Sequence, residues 1–340
     1  MRQDKKFQGE PTQNCKLLPV KPSLRIYHHL PPAGQRSPCA LTIGNFDGVH
    51  RGHQAILARV RETAQTRGLT PSVMTFEPHP REYFAQLHQR PELAPTRISG
   101  LRDKVASLAR AGMEQVLIEP FDARLAEMSA NAFIEDLLVT GLQTRWLLVG
   151  EDFRFGHKRS GDIDLLREAG LAHGFEVATL ADVTDRQGHR ISSSEVRTAL
   201  AVGDLARAEH LLGRPFHLSG HVVHGRKLGR ELGFPTMNLR VAPRCAARSG
   251  IYVVRVQGLG PRPMAGVASL GVRPSVEDAG RVLLEVHLLD ESLDAYGKLV
   301  CVEFLHKLRD EEKFPDLPSL TAAIAEDARN ARAYFAVHGL

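Results

Sequence analysis

The stretch "LTIGNFDGVHRGHQAIL", Leu41–Leu57, decides how the first half of the chain is read. Its opening apolar and β-branched residues suit a buried strand. Gly44 and Gly48 then punctuate a tight turn, and Ile56, Leu57 and Val60 recur at helical spacing. His50 and His53 therefore fall at the start of a helix, close to one face. A strand, a glycine-bearing turn and a helix N-terminus together make an anion site, because unpaired backbone N–H groups point outward and the helix dipole favours negative charge. Phosphate is the anion to expect.

Outward from that stretch, strand-like and helix-like runs alternate as far as about residue 180. "CALTI" precedes a helix from about His50 to Gly68, and "PSVMTF" (71–76) precedes a loop rich in Pro and His. Helical runs at 101–112, 129–142 and 162–174 are followed by the strands "QVLIEP", "RWLLVG" (145–150) and "FEVATL" (175–180). This alternation predicts a doubly wound parallel sheet covered on both faces. Ligands of such sheets bind beyond the carboxyl ends of the strands, where "GNFDGVHRGH" and "GEDFRFG" (150–156) both lie.

The rhythm changes after about residue 213. "HLSGHVVHG", "GIYVVRVQGLG", "RPMAGVASLGV", "RVLLEVHLLD" and "KLVCVEFLHKL" are short Val- and Leu-rich runs broken by Gly and Pro, which predicts antiparallel β structure, barrel or sandwich. A last helix is expected from about Ser319 to His338. The boundary is placed within "LAVGDLARAEHLLG", giving a flexible arm (1–22), a first domain (23–199), a linker helix (200–213) and a second domain (214–340).

Bulk properties narrow the function classes. The 340 residues suggest about two domains, and 43% apolar with 24% charged residues is a globular composition. A net charge of +5 without a run of five Lys or Arg fits anionic small-molecule substrates as well as it fits nucleic acid. Cys15, Cys39, Cys245 and Cys301 are far apart and read as isolated thiols of a reducing compartment. No apolar stretch approaches the roughly 18 residues a membrane span needs, and the N-terminus lacks the apolar core of a secretory signal. A cytoplasmic protein without a membrane or nucleic-acid partner is expected, its oligomeric state left open.

The histidines of "HRGH" could be surface residues or part of a metal site. Metal sites need three or four ligands, however, and no Cys or Glu stands nearby to complete one. At a helix start, an imidazole N–H could instead bond phosphoryl oxygens and stabilise charge developing at an α-phosphate. "ISSSEVRTAL" (191–200) begins another helix, with Ser192 and Glu195 at capping-box spacing. Beyond capping, Ser193, Ser194 and Arg197 with the first amides of that helix could clamp the outer phosphates of a nucleotide.

In the second half, "GRKLGRELGFPTMNL" (225–239) combines a glycine loop with "PTMN". It is not a P-loop, since the GxxxxGK[ST] order is absent. Thr236 and Asn238 are two apart in an extended segment and point to one side, and a hydroxyl with an amide oxygen suits Mg²⁺, which keeps few protein ligands beside substrate phosphates. Glu285 interrupts an apolar strand, with His287 on the same face. It is either a carboxylate on the exposed face of an edge strand or a general base.

These motifs carry a resemblance. "GNFDGVHRGH" with "ISSSEVR" is similar to the nucleotidyltransferases marked by HxGH and ISSxxxR motifs. "TIGNFDGVHRGH", "FEPHP" (76–80) and "GEDFRFG" resemble the FMN adenylyltransferase half of the bacterial bifunctional riboflavin kinase/FAD synthetases. The resemblance implies attack of FMN on the α-phosphate of ATP, giving FAD and pyrophosphate. Gly44, Asn45, Asp47, Gly48, His50 and His53 would hold ATP, His53 nearest the transferred group. Ser193 and Arg197 would hold pyrophosphate, and Phe76, Pro78, Arg97 and Asp152 would face FMN.

"GRKLGRELGFPTMN", "GIYVV", "GVRPS" (271–275) and "KLRDEEKF" (307–314) resemble the riboflavin kinase domain, a small antiparallel β-barrel with a terminal helix. That implies transfer of the ATP γ-phosphate to riboflavin. Glu285 would be the base, Gly225, Lys227, Gly229, Pro235, Thr236 and Asn238 would hold Mg²⁺-ATP, with Thr236 and Asn238 on the metal, and Arg273 and Arg309 would face the flavin. Ser269, Ser275 and Ala295 depart from the commoner Asn, Thr and Leu without removing a proposed catalytic group. Riboflavin, FMN and ATP are thus the expected partners. The alternatives are a chain with one active half, or a nucleic-acid binder, since HxGH domains also occur in tRNA-charging enzymes. Against the latter stand the absent basic stripe and the absent lysine loop that would replace "ISSSEVR".

Overall fold

The computed structural model describes residues 24–185, 187–225, 229, 232–241, 244–272, 282–291 and 293–339. The expected arm and the site candidates Lys227 and Arg273, together with Ser275, lie outside them.

The central strand of the first domain, β2 (Cys39–Ile43), is buried along its whole length, as its unbroken apolar run requires. Around it the strands β1 (Arg25–Tyr27), β3 (Thr70–Glu77), β4 (Gln115–Pro120), β5 (Thr144–Gly150) and β6 (Glu176–Leu180) form a parallel sheet in the order β1-β4-β3-β2-β5-β6. The order reverses beside β2: the chain runs outward through β3 and β4, then returns to place β5 on the opposite side. The crevice beyond the ends of β2 and β5 is therefore the switch point where ligands bind such sheets.

Alternation along β2 divides the core between two faces. Cys39, Leu41 and Ile43 pack with Phe133, Leu137, Leu138 and Leu166, whereas Ala40 packs with Leu57, Val60, Ala64, Val105 and Leu108. The second group comes from α1 (Arg51–Arg67) and α3 (Leu101–Arg110); Leu166 comes from α6 (Ile163–His173). The helix expected at 129–142 is a short α5 (Ala130–Ala132) running into a π-helical stretch, Phe133–Gly141. Three elements were not anticipated, one of them the short helix at Ala123–Glu127. β1 has only three residues, and α2 (Pro80–Leu87) falls in the supposed Pro/His loop, opened by Pro80 in its first turn and capped by His79.

After α4 (Ala123–Glu127) and β6, α7 (Ser193–Val202) and α8 (Leu205–Leu212) lead into a closed barrel. Its strands are β7 (Phe216–Val223), β8 (Thr236–Arg240), β9 (Gly250–Gln257), β10 (Met264–Val272), β11 (Val282–Leu288) and β12 (Leu299–Arg309), ordered β10-β11-β8-β7-β12-β9. All pairings are antiparallel. Leu284, Val286, Met237 and Leu239 fill its interior in one cluster with Val196, Leu200, Leu205 and Leu211, so α7 and α8 pack as part of the barrel's core. The closing helix α9 (Leu317–His338) covers β9 and β10 through Ala328 and Ala331. Cys39 and Cys245 are free thiols, but Cys301 is disulfide-bonded, which corrects the reading of all four cysteines as isolated.

Candidate active sites

The turn after β2 bends sharply: Phe46, Gly48 and Val49 have φ of 48°, 81° and 42°. Non-glycine residues rarely adopt these angles, and such backbone persists only where its surroundings hold it. Phe46 and Val49 are buried to 1% and 2% exposure, the Asn45 carbonyl accepts from Thr75 Oγ1 at 3.1 Å, and Gly48 N donates to Ser99 Oγ at 3.1 Å. His50 then caps α1, its Nδ1 accepting from His53 N at 3.4 Å, which leaves its proton on Nε2. The two rings stack with centroids 3.7 Å apart.

Burial pushes the His50 pKa down to about 4 against the raising influence of Asp47, and burial together with the neighbouring His50 drives His53 well below its ordinary value. Both imidazoles are therefore neutral near pH 7. His53 Nδ1 and Asn45 Oδ1 are buried without a hydrogen-bond partner, so the pocket carries polar capacity that the protein leaves unfilled.

The Asp47 carboxylate is 1% exposed. It accepts from Ile98 N and Ser99 N, both at 3.1 Å, from Ser99 Oγ at 3.3 Å and from Arg197 Nη2 at 2.7 Å. Ser193 Oγ donates to the Asp47 carbonyl at 3.1 Å, and Arg197 Nε donates to the Thr96 carbonyl at 2.7 Å. The starts of α1 and α7 thus converge on one turn. Gly44, Asn45, Asp47, Gly48, His50, His53, Ser193 and Arg197 are brought together, and Asp47 serves as their brace.

The proposed flavin contacts are more dispersed. The Phe76 ring meets Phe121 edge to face at 5.8 Å, and Tyr83 and Phe84 meet Phe121 at 5.5 and 5.7 Å. Pro78 follows Glu77 through a cis peptide bond. Arg97 is 8% exposed, its guanidinium paired with Glu77 at 2.7 Å and with Glu82. Its main chain exchanges hydrogen bonds with Arg244 and Ala246 of the second domain. A cavity of about 510 Å³ opens there, lined by Glu77, Glu82, Arg97 and Arg244 among others. Asp152 is exposed and stands 3.6 Å from Arg190. Tyr83, Phe84 and Phe121 escaped the sequence reading. The only signal was their aromatic character, which packing alone would also explain.

On the barrel, strand register puts Ser269, Glu285 and Asn238 side by side across β10, β11 and β8, and His287 beside Thr236. Their neighbours Leu284, Val286, Met237 and Leu239 point into the core, so this polar row lies on the outer face. Glu285 is half-buried in the middle of three paired strands, which excludes the edge-strand alternative. Asn238 is 6% exposed and its Oδ1 has no partner. A Cβ on Gly225 would force the Asn238 amide to move, and a Cβ on Gly229 would come within 2.5 Å of the Phe234 carbonyl.

Glu311, also missed, accepts from Ser269 Oγ at 3.3 Å, and burial pushes its carboxyl above the usual range, with Glu285 adding to the shift. His287 Nδ1 donates to the Pro235 carbonyl at 3.0 Å. Arg309 is turned away, bonded to Asp327 of α9 at 2.9 and 2.7 Å with Phe314 beneath it.

A nucleotidyltransferase-type α/β domain followed by a small kinase-like barrel is therefore the class that fold and sites define. Residues 33–195 match the family model of FAD synthetases and residues 212–335 that of riboflavin kinases. The chain is 47% identical to the bifunctional riboflavin kinase/FMN adenylyltransferase of Escherichia coli strain K12, over 92% of this chain and 97% of that one. It is 46% identical to the Pseudomonas fluorescens protein of the same description, over 91% and 96%. It belongs to the family of bifunctional riboflavin kinases/FMN adenylyltransferases. A solved chain of Streptococcus pneumoniae, described as a macrolide-efflux protein, is 26% identical with a TM-score of 0.72, covering 91% of this chain and 99% of that one. Among the described residues no helix is long and apolar enough to cross a membrane.

Proposed function

We propose that the barrel phosphorylates riboflavin to FMN and that the first domain joins FMN to the adenylyl group of ATP, giving FAD and pyrophosphate. The observation that carries the adenylyl-transfer site is the convergence of two helix starts on the Asp47 turn, at the switch point of the sheet. An FMN phosphate oxygen attacks the α-phosphorus of ATP, and the bond from that phosphorus to the pyrophosphate oxygen breaks. His53, uncharged and at the first turn of α1, donates an N–H to the phosphoryl oxygens as charge builds there. Ser193 and Arg197 receive the leaving pyrophosphate. Phe76, Tyr83, Phe84 and Phe121 offer an aromatic wall for the flavin ring.

In the barrel the Glu285 carboxylate takes the proton of the riboflavin 5′-hydroxyl, whose oxygen attacks the γ-phosphorus as ADP leaves. The unpartnered Asn238 Oδ1 and the Thr236 hydroxyl would hold Mg²⁺. When bound, that ion neutralises phosphate charge; the protein's own part is to present the two ligands at fixed spacing along β8. The partners are the small molecules riboflavin, FMN and ATP. Mass analysis of purified chain incubated with riboflavin and Mg-ATP tests this reading: FMN should appear first and FAD after it. Absence of both, with salt-dependent binding of labelled RNA, would favour a nucleic-acid binder instead.

A further inference from the structure

We infer that Arg214, which belongs to the segment entering the barrel, is a positioning residue for adenylyl transfer in the first domain. The inference rests on reading the Gly44–His50 turn as the adenylyl-transfer site. Arg214 Nη2 donates to the Gly48 carbonyl at 2.7 Å, and Nη1 donates to the carbonyls of Val49 at 3.2 Å and Leu212 at 3.3 Å. Gly48 and Val49 are two of the three residues of this turn that hold left-handed backbone, and Val49 directly precedes His50.

The Val49 carbonyl belongs to the peptide that leads into His50, whose side chain caps α1 and stacks on His53. A guanidinium is suited to this task because its planar fork holds adjacent carbonyls in one fixed geometry, whereas the donors of an ammonium rotate and impose no such plane. Gln54 Nε2 reinforces the link, donating to the Val49 carbonyl at 2.9 Å and to the Leu212 carbonyl at 2.8 Å. The segment bearing Arg214 is itself anchored to the first domain, since Ser219 N donates to the Asp103 carboxylate at 3.1 Å. The turn that presents the histidines is thus completed by a side chain 166 positions downstream of Gly48, in the half that carries the other activity.

The test compares Arg214→Lys and Arg214→Met in the full chain, measuring FAD formation from FMN and ATP, and FMN formation from riboflavin, on the same preparations. Misplacement of a catalytic group by about 1 Å can cost on the order of 10²-fold in rate. Arg214→Met should lower kcat for FAD formation by about that factor, with KM for ATP and FMN changed less than about threefold. Arg214→Lys, which keeps N–H donors but not their fixed plane, should recover part of the loss. FMN formation should be unaffected in both. FAD formation at the wild-type kcat in the lysine variant together with the methionine variant would overturn the inference. So would a parallel fall of both activities, or failure of both variants to fold, since each assigns Arg214 to stability alone. If only Arg214→Met fails to fold, the lysine variant decides: an unchanged kcat for FAD formation contradicts the proposal. Wild-type chain that forms FMN but no FAD would instead refute the underlying reading of the first domain.

Discussion

Arg197 Nη2 lies 2.7 Å from Asp47 Oδ2, joining two motifs 150 positions apart in the sequence. The pair is largely shielded from water, with side-chain exposures of 17% and 1%. Removing one partner of a buried pair leaves an uncompensated charge and typically costs about 3–5 kcal/mol. Arg197→Met should therefore destabilise the first domain by about 3 kcal/mol, toward the low end because Asp47 keeps its bonds from Ile98 and Ser99. Urea unfolding checks this, and a loss below about 1 kcal/mol would show the contact to be incidental.

His53→Ala should lower FAD formation by about 10²–10³, the usual worth of one donor aimed at developing charge. His53→Gln, which restores an N–H at similar reach, should regain part of the rate. Normal FAD output from the alanine variant, supplied with FMN, would exclude His53 from the chemistry.

Glu285→Gln keeps shape and removes a proton acceptor. FMN formation should fall by about 10²–10⁴, with little change in binding of riboflavin or ATP. Because slow product release can mask chemistry, the check is a pre-steady-state burst of FMN. An unaltered chemical step would eliminate the general-base role without bearing on the metal-ligand role proposed for Thr236 and Asn238.

Buried histidine also makes stability depend on pH. Burial pushes the His217 pKa from 6.5 down to about 3, with the charges of Arg214 and Arg110 adding to the shift. Below pH 6.5 the unfolded chain binds a proton that the folded chain does not, so stability falls as pH drops from 6.5 toward 3 and is level above 6.5. One such group contributes a slope of at most about 1.4 kcal/mol per pH unit. His50 and His79, both pushed down to about 4, steepen the same limb. Denaturation midpoints of wild type and His217→Gln, compared at about pH 5 and pH 7.5, should show a shallower acid limb in the variant. Equal limbs would mean that His217 is protonated in the folded state.

Much of this architecture is legible from residues that obey one local rule. β2 is apolar from end to end, and α1 starts and stops where His50 and Gly68 say it should. The polar row on the barrel follows from strand alternation once Thr236, Asn238 and Glu285 are noticed. Long-range pairing is what the sequence hides. The resemblance implies that Arg97 and Arg309 face flavin, and nothing in the sequence announces that Glu77 and Glu82 hold Arg97 or that Asp327 holds Arg309. Asp47 reads as a ligand for ATP, but its partners come from residues 98, 99 and 197. α2 was obscured because Pro78 and Pro80 signal a turn, while Pro80 in fact opens the helix.

The central claim is that two separate sites in one chain carry out two phosphorus transfers in sequence. The most direct measurement follows radiolabel into flavin products from riboflavin and either γ-labelled or α-labelled ATP, using His53→Ala beside the wild type. In the wild type, γ-label should enter FMN and persist in FAD, and α-label should enter FAD alone. In His53→Ala, γ-label should still enter FMN at the wild-type rate and α-label should enter almost no flavin. FAD carrying α-label at the wild-type rate, or loss of γ-label from FMN in a variant that remains folded, would contradict the account.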